Sequence, residues 1–263
     1  MDLGLKDKIA FVAGASKGLG AATARQLARE GARVAINARD AARLNATADS
    51  IRAETGAQVV AIPGDVAVAA DVERLIGETA RQLGGLDIVV TNSGGPPPGR
   101  FDELTDEVWL QSVDLLLMSS VRLIRAALPH LRRSASAAVL NCNSYSVKQP
   151  LPNLLLSNSI RLAVVGLVKS LALDLGNEGI RFNAILPAFT DTERVQKLLA
   201  DRAQRNGTTL EEEVKKQSAA SPFGRMGMPQ EFANVATFLC SPAASYVTGV
   251  TLTVDGGMYK GMV

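Results

Sequence analysis

The stretch IAFVAGASKGLG, residues 9–20, decides the fold. A short apolar run of β-branched and aromatic type stops at Gly14, two more glycines follow at Gly18 and Gly20, and a helical pattern continues over residues 21–30. Strand, glycine turn and helix in this order open a βαβ unit that binds a dinucleotide. The glycines let the backbone turn sharply and approach a pyrophosphate, which meets the free N–H groups and positive dipole end of the following helix. The residues placed to do so are Gly14, Ser16, Lys17, Gly18, Leu19 and Gly20. A glycine-rich turn without a ligand is the alternative, because such motifs also arise by chance.

Working outward, 33–38 (RVAINA) is a second strand and about 40–54 a helix with Asp40 at its N-cap. Strand patterns recur at 58–63 and 87–93, with a helical stretch at 70–83 between them. Thr105, Asp106 and Glu107 open a long helix through Trp109 to about Arg132. Then follow a strand at 137–141, a helix at 157–176 and a strand at 180–186 that ends at Pro187. The more polar stretch 192–221, helical at 211–216, is expected to be a mobile flap over the site. A helix at 229–240 and a strand at 251–254 close the pattern. Strands alternating with helices at this spacing imply an α/β fold with a doubly wound parallel sheet of Rossmann type. The 263 residues, 47% hydrophobic, suit one domain spanning 1–263.

The net charge of +2 comes from 28 basic and 26 acidic residues spread along the chain, which argues against a nucleic-acid surface. The charged start (Asp2, Lys6, Asp7, Lys8) lacks a signal peptide's apolar core, and no later run is expected to reach membrane-spanning length, so a soluble cytoplasmic protein is expected. Cys142 and Cys240 are far apart, outside any CxxC pair and away from the lone His130, so neither a metal site nor a disulfide is expected.

Six motifs in order carry a family resemblance: the Gly14, Gly18, Gly20 turn; Asp65-Val66; Asn92-Ser93-Gly94; Ser144; Asn183, Pro187 and Thr192; and Val254-Asp255-Gly256-Gly257. Together they resemble the short-chain dehydrogenase/reductase family over essentially the whole chain. The stretch 222–257 is similar to bacterial 3-oxoacyl-carrier-protein-reductase-like members. The resemblance implies that Asp65 and Val66 contact the adenine, that Asn92, Ser93 and Gly94 line the cofactor, and that Thr192 after Pro187 holds the nicotinamide end. It also implies a homotetramer in which the helices containing Trp109 and residues 154–175 pair across a dimer axis.

Charge selects the cofactor. An NAD enzyme carries an acid at the end of the second strand, where this chain has Ala38 followed by Arg39, with Lys17 in the turn beside it. Two cations there favour NADP(H). The catalytic positions depart from the family pattern of Asn, Ser, Tyr and Lys. The Tyr position is Ser157, the Lys position is Arg161, the Asn position is Leu116, and Ser144 alone remains. Arg161 can hold the nicotinamide ribose but does not titrate, and a serine is a poor proton donor. Tyr145, with Lys148 three residues on, is a candidate substitute donor, against the plainer reading that it only lines the pocket.

Two readings follow. One is an NADP(H)-dependent oxidoreductase acting on a small carbonyl or alcohol, with Ser144, Ser157, Arg161 and Tyr145 at its centre. The other is a catalytically silent NADP(H)-binding homologue serving as a sensor, scaffold or partner subunit.

Overall fold

Alternate residues of the first strand, β1 (Ile9–Val12), point to opposite faces, so Ala10 and Val12 enter one apolar core while Ile9 and Phe11 enter another. A strand that is apolar on both faces has to be covered on both, which is the condition of a parallel sheet. In the computed structural model, which describes residues 1–262, this alternation is repeated along the chain. The elements are α1 (Gly18–Arg29), β2 (Arg33–Ala38), α2 (Ala41–Thr55), β3 (Val59–Pro63), α3 (Ala69–Leu83), β4 (Ile88–Thr91), α4 (Asp106–Val113), α5 (Ser119–Leu131) and β5 (Ala138–Cys142). They continue with α6 (Leu155–Asp174), β6 (Arg181–Pro187), α7 (Glu193–Asn206), α8 (Leu210–Ala219), α9 (Pro229–Cys240) and β7 (Thr251–Val254).

All strand pairs are parallel, in the order β3-β2-β1-β4-β5-β6-β7. One core lies under α1, α2 and α9, the other under α3, α5 and α6. The strand order reverses between β1 and β4, and the crevice at the carboxyl ends of these strands is where doubly wound sheets bind ligands.

The expected elements are present with shifted ends, and Asp40 caps α2 by accepting from the Arg43 N–H at 3.0 Å. Three expectations are corrected. The helix expected from Thr105 to Arg132 is broken by a wide π turn at Asp114–Met118, which carries Leu116. Such a turn inserts a residue into the helix and re-aims its side chains, a change that apolar periodicity does not reveal.

The stretch 192–221 holds two helices rather than one short one. Thr192 caps α7 through the Val195 N–H at 3.3 Å, and Thr209 caps α8 through the Glu212 N–H at 3.2 Å. The dense charges of α7 hide its thin apolar face, of which Leu199 and Ala203 are buried. Between the two helices the buried Glu213 accepts from Thr208 at 2.8 Å, Lys216 at 3.2 Å and Asn206 at 3.3 Å, which ties the hairpin together. Finally, α6 does have the length and mean hydropathy, 1.4, of a membrane-crossing helix. Here its Val168 and Ala172 pack on the sheet, and its Leu156 and Ile160 pack on Leu116.

Candidate active site

The glycine turn after β1 is shaped by close approach. Gly14 and Gly18 have φ of 60° and 59°, where a side chain is strained. A Cβ on Gly14 would lie 2.7 Å from Asn92 Nδ2, and one on Gly20 would run into the Gly14 carbonyl oxygen. Asn92 at the end of β4 donates to the Ala13 and Gly14 carbonyls at 3.2 and 3.3 Å, so it ties the two central strands together beneath the turn. Above the turn is a cavity of about 350 Å³ lined by Ser16, Lys17, Gly18, Thr47, Thr192 and Glu193. Leu19 is half-buried against the core at the start of α1.

The cations expected at the nucleotide end are brought together with carboxylates. Lys17 pairs with Glu193 at 2.7 Å, and Arg39 faces Asp65 at 3.7 Å. The reading from sequence missed Arg43, which pairs with the same Glu193 oxygen at 3.1 Å. Its signal was its place three residues after the Asp40 cap, which aims it back at the turn. Asp65 also accepts from the Ala67 N–H at 3.0 Å, and the neighbouring Val66 is buried. Ser93 donates to the Gly94 carbonyl at 3.2 Å in the loop after β4, while Pro187 ends β6, buried, five residues before Thr192. A cradle only glycine can form, a helix N-terminus facing it and three cations at its rim fit a dinucleotide with an added phosphate, NADP(H).

On the other side of the crevice, Ser144 follows β5. Its hydroxyl accepts from the Ser146 N–H at 3.2 Å, and its own N–H donates to Asn143 Oδ1 at 2.9 Å. A buried polar chain lies behind it, which sequence reasoning missed because each member alone looks like an ordinary strand or helix residue. Asn143 donates to Asn141 at 3.0 Å and to the Arg161 carbonyl at 3.1 Å. Asn141 donates to Thr91 at 2.8 Å and Ser120 at 3.3 Å, and Ser120 donates to the Leu116 carbonyl at 3.3 Å. Satisfied buried networks of this kind rigidify what they hold. Ser144 is thereby fixed to α6, β4 and the π turn.

Ser157 and Arg161 lie one turn apart on α6, and Arg161 Nε donates to the buried Ser157 Oγ at 3.1 Å. No ion pair serves Arg161 among the described residues. Burial lowers its pKa from 12.5 to about 10, opposed by Cys142 and aided by Arg194. Burial also pushes the Cys142 thiol up to about 12, so it is an inert thiol. Leu116 is buried against Leu156 and Ile160.

Tyr145 is buried, with its ring 6.3 Å from that of Phe189 in an edge contact. Burial raises its pKa, with Asp255 adding to the rise and Arg202 opposing it. The Lys148 ammonium sits 5.2 Å over the ring of Tyr259.

A family model described as enoyl-(acyl carrier protein) reductase matches residues 14–259. The chain belongs to the short-chain dehydrogenase/reductase family. Among curated members, dehydrogenase/reductase SDR family member 4 of Sus scrofa is 33% identical over 254 residues, spanning 96% of this chain and 88% of its own. The 3-oxoacyl-acyl-carrier-protein reductase FabG of Staphylococcus aureus is 34% identical over 254 residues, spanning 96% and 98%.

Two solved members overlay closely. L-sorbose reductase of Gluconobacter frateurii, complexed with NADPH and L-sorbose, has a TM-score of 0.94 at 33% identity and full coverage, 100% of each chain. An NADPH-bound short chain oxidoreductase of Pseudomonas aeruginosa PAO1, described as containing an atypical catalytic center, has a TM-score of 0.88 at 34% identity, covering 98% and 99%. The chain is an oxidoreductase-family member of this fold, and several of its solved relatives bind NADPH.

Proposed function

We propose that this short-chain dehydrogenase/reductase uses NADP(H) to interconvert a small carbonyl compound and its alcohol, with Ser144, Ser157 and Arg161 around the reacting oxygen. The observation that carries this reading is the Ser157–Arg161 pair, two adjoining polar groups at the family's Tyr and Lys positions, beside a Ser144 fixed by a buried network. NADPH, when bound, supplies the hydride. Gly14 to Gly20 and Thr192 position it, and Lys17, Arg39 and Arg43 receive its extra phosphate once Glu193 and Asp65 yield them.

The chain's own groups then act on the oxygen. Ser144 orients the carbonyl by donating a hydrogen bond. Arg161 donates into the Ser157 oxygen, which leaves the Ser157 O–H free to donate in turn, and its positive charge stabilises the negative charge that grows on the substrate oxygen. The same guanidinium holds the ribose hydroxyls. It keeps its proton throughout, so the final proton comes from water. Lacking a titrating acid costs about 10²–10⁴-fold in rate, roughly 3–5 kcal/mol of barrier, and a slow enzyme is the expected result.

Two observations favour the silent-homologue reading. Leu116 replaces a polar group by packing, and Tyr145 is a weaker acid than an ordinary phenol. The deciding experiment mixes the protein with NADPH and a panel of ketones, aldehydes, quinones and β-ketoacyl thioesters, following nicotinamide absorbance together with bound-cofactor fluorescence. Turnover supports the enzyme, and binding without turnover supports the silent homologue.

We also place the chain in a homotetramer, because Leu162 and Leu173 on α6 and Leu110 on α4 are 54%, 73% and 66% exposed on the two helices expected to pair. Two free buried cysteines suit a reducing cytoplasm.

A further inference from the structure

Around the loop after β4 and the α7 face near Tyr145, the chain gathers positive charge that the cofactor phosphates do not account for. Arg194, in the first turn of α7, lays its guanidinium against Gly95, where a methyl group on the glycine would collide with its Nη2, Cζ and Nη1. Any side chain at position 95 would displace it. Arg194 is exposed along its side chain; desolvation of its guanidinium lowers its pKa, and it acts electrostatically on Arg161.

Two turns further along α7, Arg202 stacks 5.8 Å from the centre of the Phe189 ring and donates to Gln217 at 3.2 Å. Phe189 in turn meets Tyr145, the residue after Ser144. Lys148 approaches the same region from the β5 side, over Tyr259. None of Arg161, Arg194, Arg202 and Lys148 has an ion pair among the described residues. Asp255, whose charge acts on Tyr145, has its two oxygens engaged by the Gly257 and Tyr259 N–H groups at 3.0 and 2.8 Å.

Guanidinium groups beside the crevice that lack an ion-pair partner offer an anionic ligand unsatisfied charged donors. The cofactor's extra phosphate has Lys17, Arg39 and Arg43, its pyrophosphate has the N-terminus of α1, and its nicotinamide end bears no phosphate. We propose that the substrate supplies the missing charge: it is an oxo acid, whose carboxylate is held by Arg194 and Arg202 while its carbonyl meets Ser144. This names the substrate class of the oxidoreductase proposed above and rests on that reading. The planar fork of arginine matches a carboxylate in two hydrogen bonds. The rings of Tyr145 and Phe189 beside it favour a carboxylate on a short carbon chain over a phosphate, which protein sites usually seat in backbone N–H groups.

The test uses matched pairs, pyruvate, acetoacetate and levulinate against their methyl esters, with the whole protein and NADPH. The acid is expected to exceed its ester in kcat/KM by at least about tenfold, the size of one good charge-assisted contact. That ratio is expected to fall toward one in Arg202→Gln and Arg194→Gln, and to be partly kept in Arg202→Lys, with melting temperatures checking that each variant folds. Esters turned over as well as acids would overturn the inference and leave the oxidoreductase reading standing. So would an Arg194→Gln variant that loses NADPH affinity but keeps the acid preference, since Arg194 would then serve the cofactor.

If no pair is turned over, binding decides. Acids that shift the melting temperature of the protein, or quench bound NADPH, where their esters do not, would uphold the anion site while the oxidoreductase reading fell. Acids and esters alike in both assays would overturn the inference.

Discussion

Replacing Arg161 by methionine tests the centre of the site, because the structure predicts opposite effects on stability and on binding. Burial brings the guanidinium from 12.5 down to about 10. A lowered cation pKa means that the charged form is disfavoured in the folded chain, and at about 1.4 kcal/mol per unit the cost at neutral pH is about 3 kcal/mol. Methionine has similar reach and no charge, so Arg161→Met removes that cost. It also takes from Ser157 the donor now 3.1 Å away, a loss of about 1–2 kcal/mol because the serine hydroxyl is buried.

The balance is a gain of about 1–2 kcal/mol, which raises the melting temperature of the cofactor-free protein by about 2–6 °C for a chain of this size. Binding moves the other way. A charge-assisted hydrogen bond to the ribose is worth about 1.5–3 kcal/mol, so the NADPH dissociation constant rises by about 10- to 100-fold. Thermal melts and fluorescence titration of bound NADPH read the two effects. A variant that melts lower and binds NADPH as tightly as the parent would refute the reasoning, for Arg161 would then be a structural arginine.

Other expectations follow from single contacts. Gly20→Ala places a methyl on the Gly14 carbonyl and pushes α1 off the turn, so NADPH affinity falls more than tenfold, by about 1.5–3 kcal/mol, as measured by titration. Cys142 and Cys240, both raised to about 12 by burial, resist a thiol reagent at about pH 8 in the folded protein and react once it is unfolded. Glu213 has its pKa held below 4.5, chiefly by the Thr208 hydroxyl, so it contributes stability above that pH which is lost as pH falls through its lower folded value. Melting temperatures of Glu213→Gln between about pH 3 and 7 therefore show a smaller loss on acidification than the parent, and an unchanged profile would count against the role given to the α7–α8 hairpin.

The sequence made the sheet legible because both of its faces are covered, leaving strands such as β2 and β6 as short apolar runs between helices with an amphipathic face. The glycine turn was legible for a sharper reason, since close approach at Gly14 and Gly20 and positive φ at Gly14 and Gly18 call for glycines at fixed spacing. What escaped reading was anything set by contacts between distant elements. The π turn at Asp114–Met118 has the same leucines a regular helix would have. Its Leu116 was expected from sequence at the family's Asn position, but its packing on Leu156 and Ile160 was not legible there. The helix α7 was hidden by its charges, and those charges proved to be the informative part, with Glu193 on Lys17 and Arg194 over Gly95. The polar chain behind Ser144 joins β4, β5, α5 and α6, and no window of sequence contains it.

The central pairing of β1 with β4 sets Ala10 beside Ile88, and the Asn92 amide that braces Gly14 comes from 78 residues downstream. A ribosome makes β1, β2 and β3 well before β4. Until then β1 is an unprotected edge, and the crevice that will receive the nucleotide has only one wall. The cofactor therefore cannot assist the first third of the chain as it emerges; it can only consolidate a fold whose middle has already been joined. Chains stalled or cut after β3 should expose that edge and associate through it, which makes β4 the point in synthesis at which this protein leaves its most aggregation-prone state.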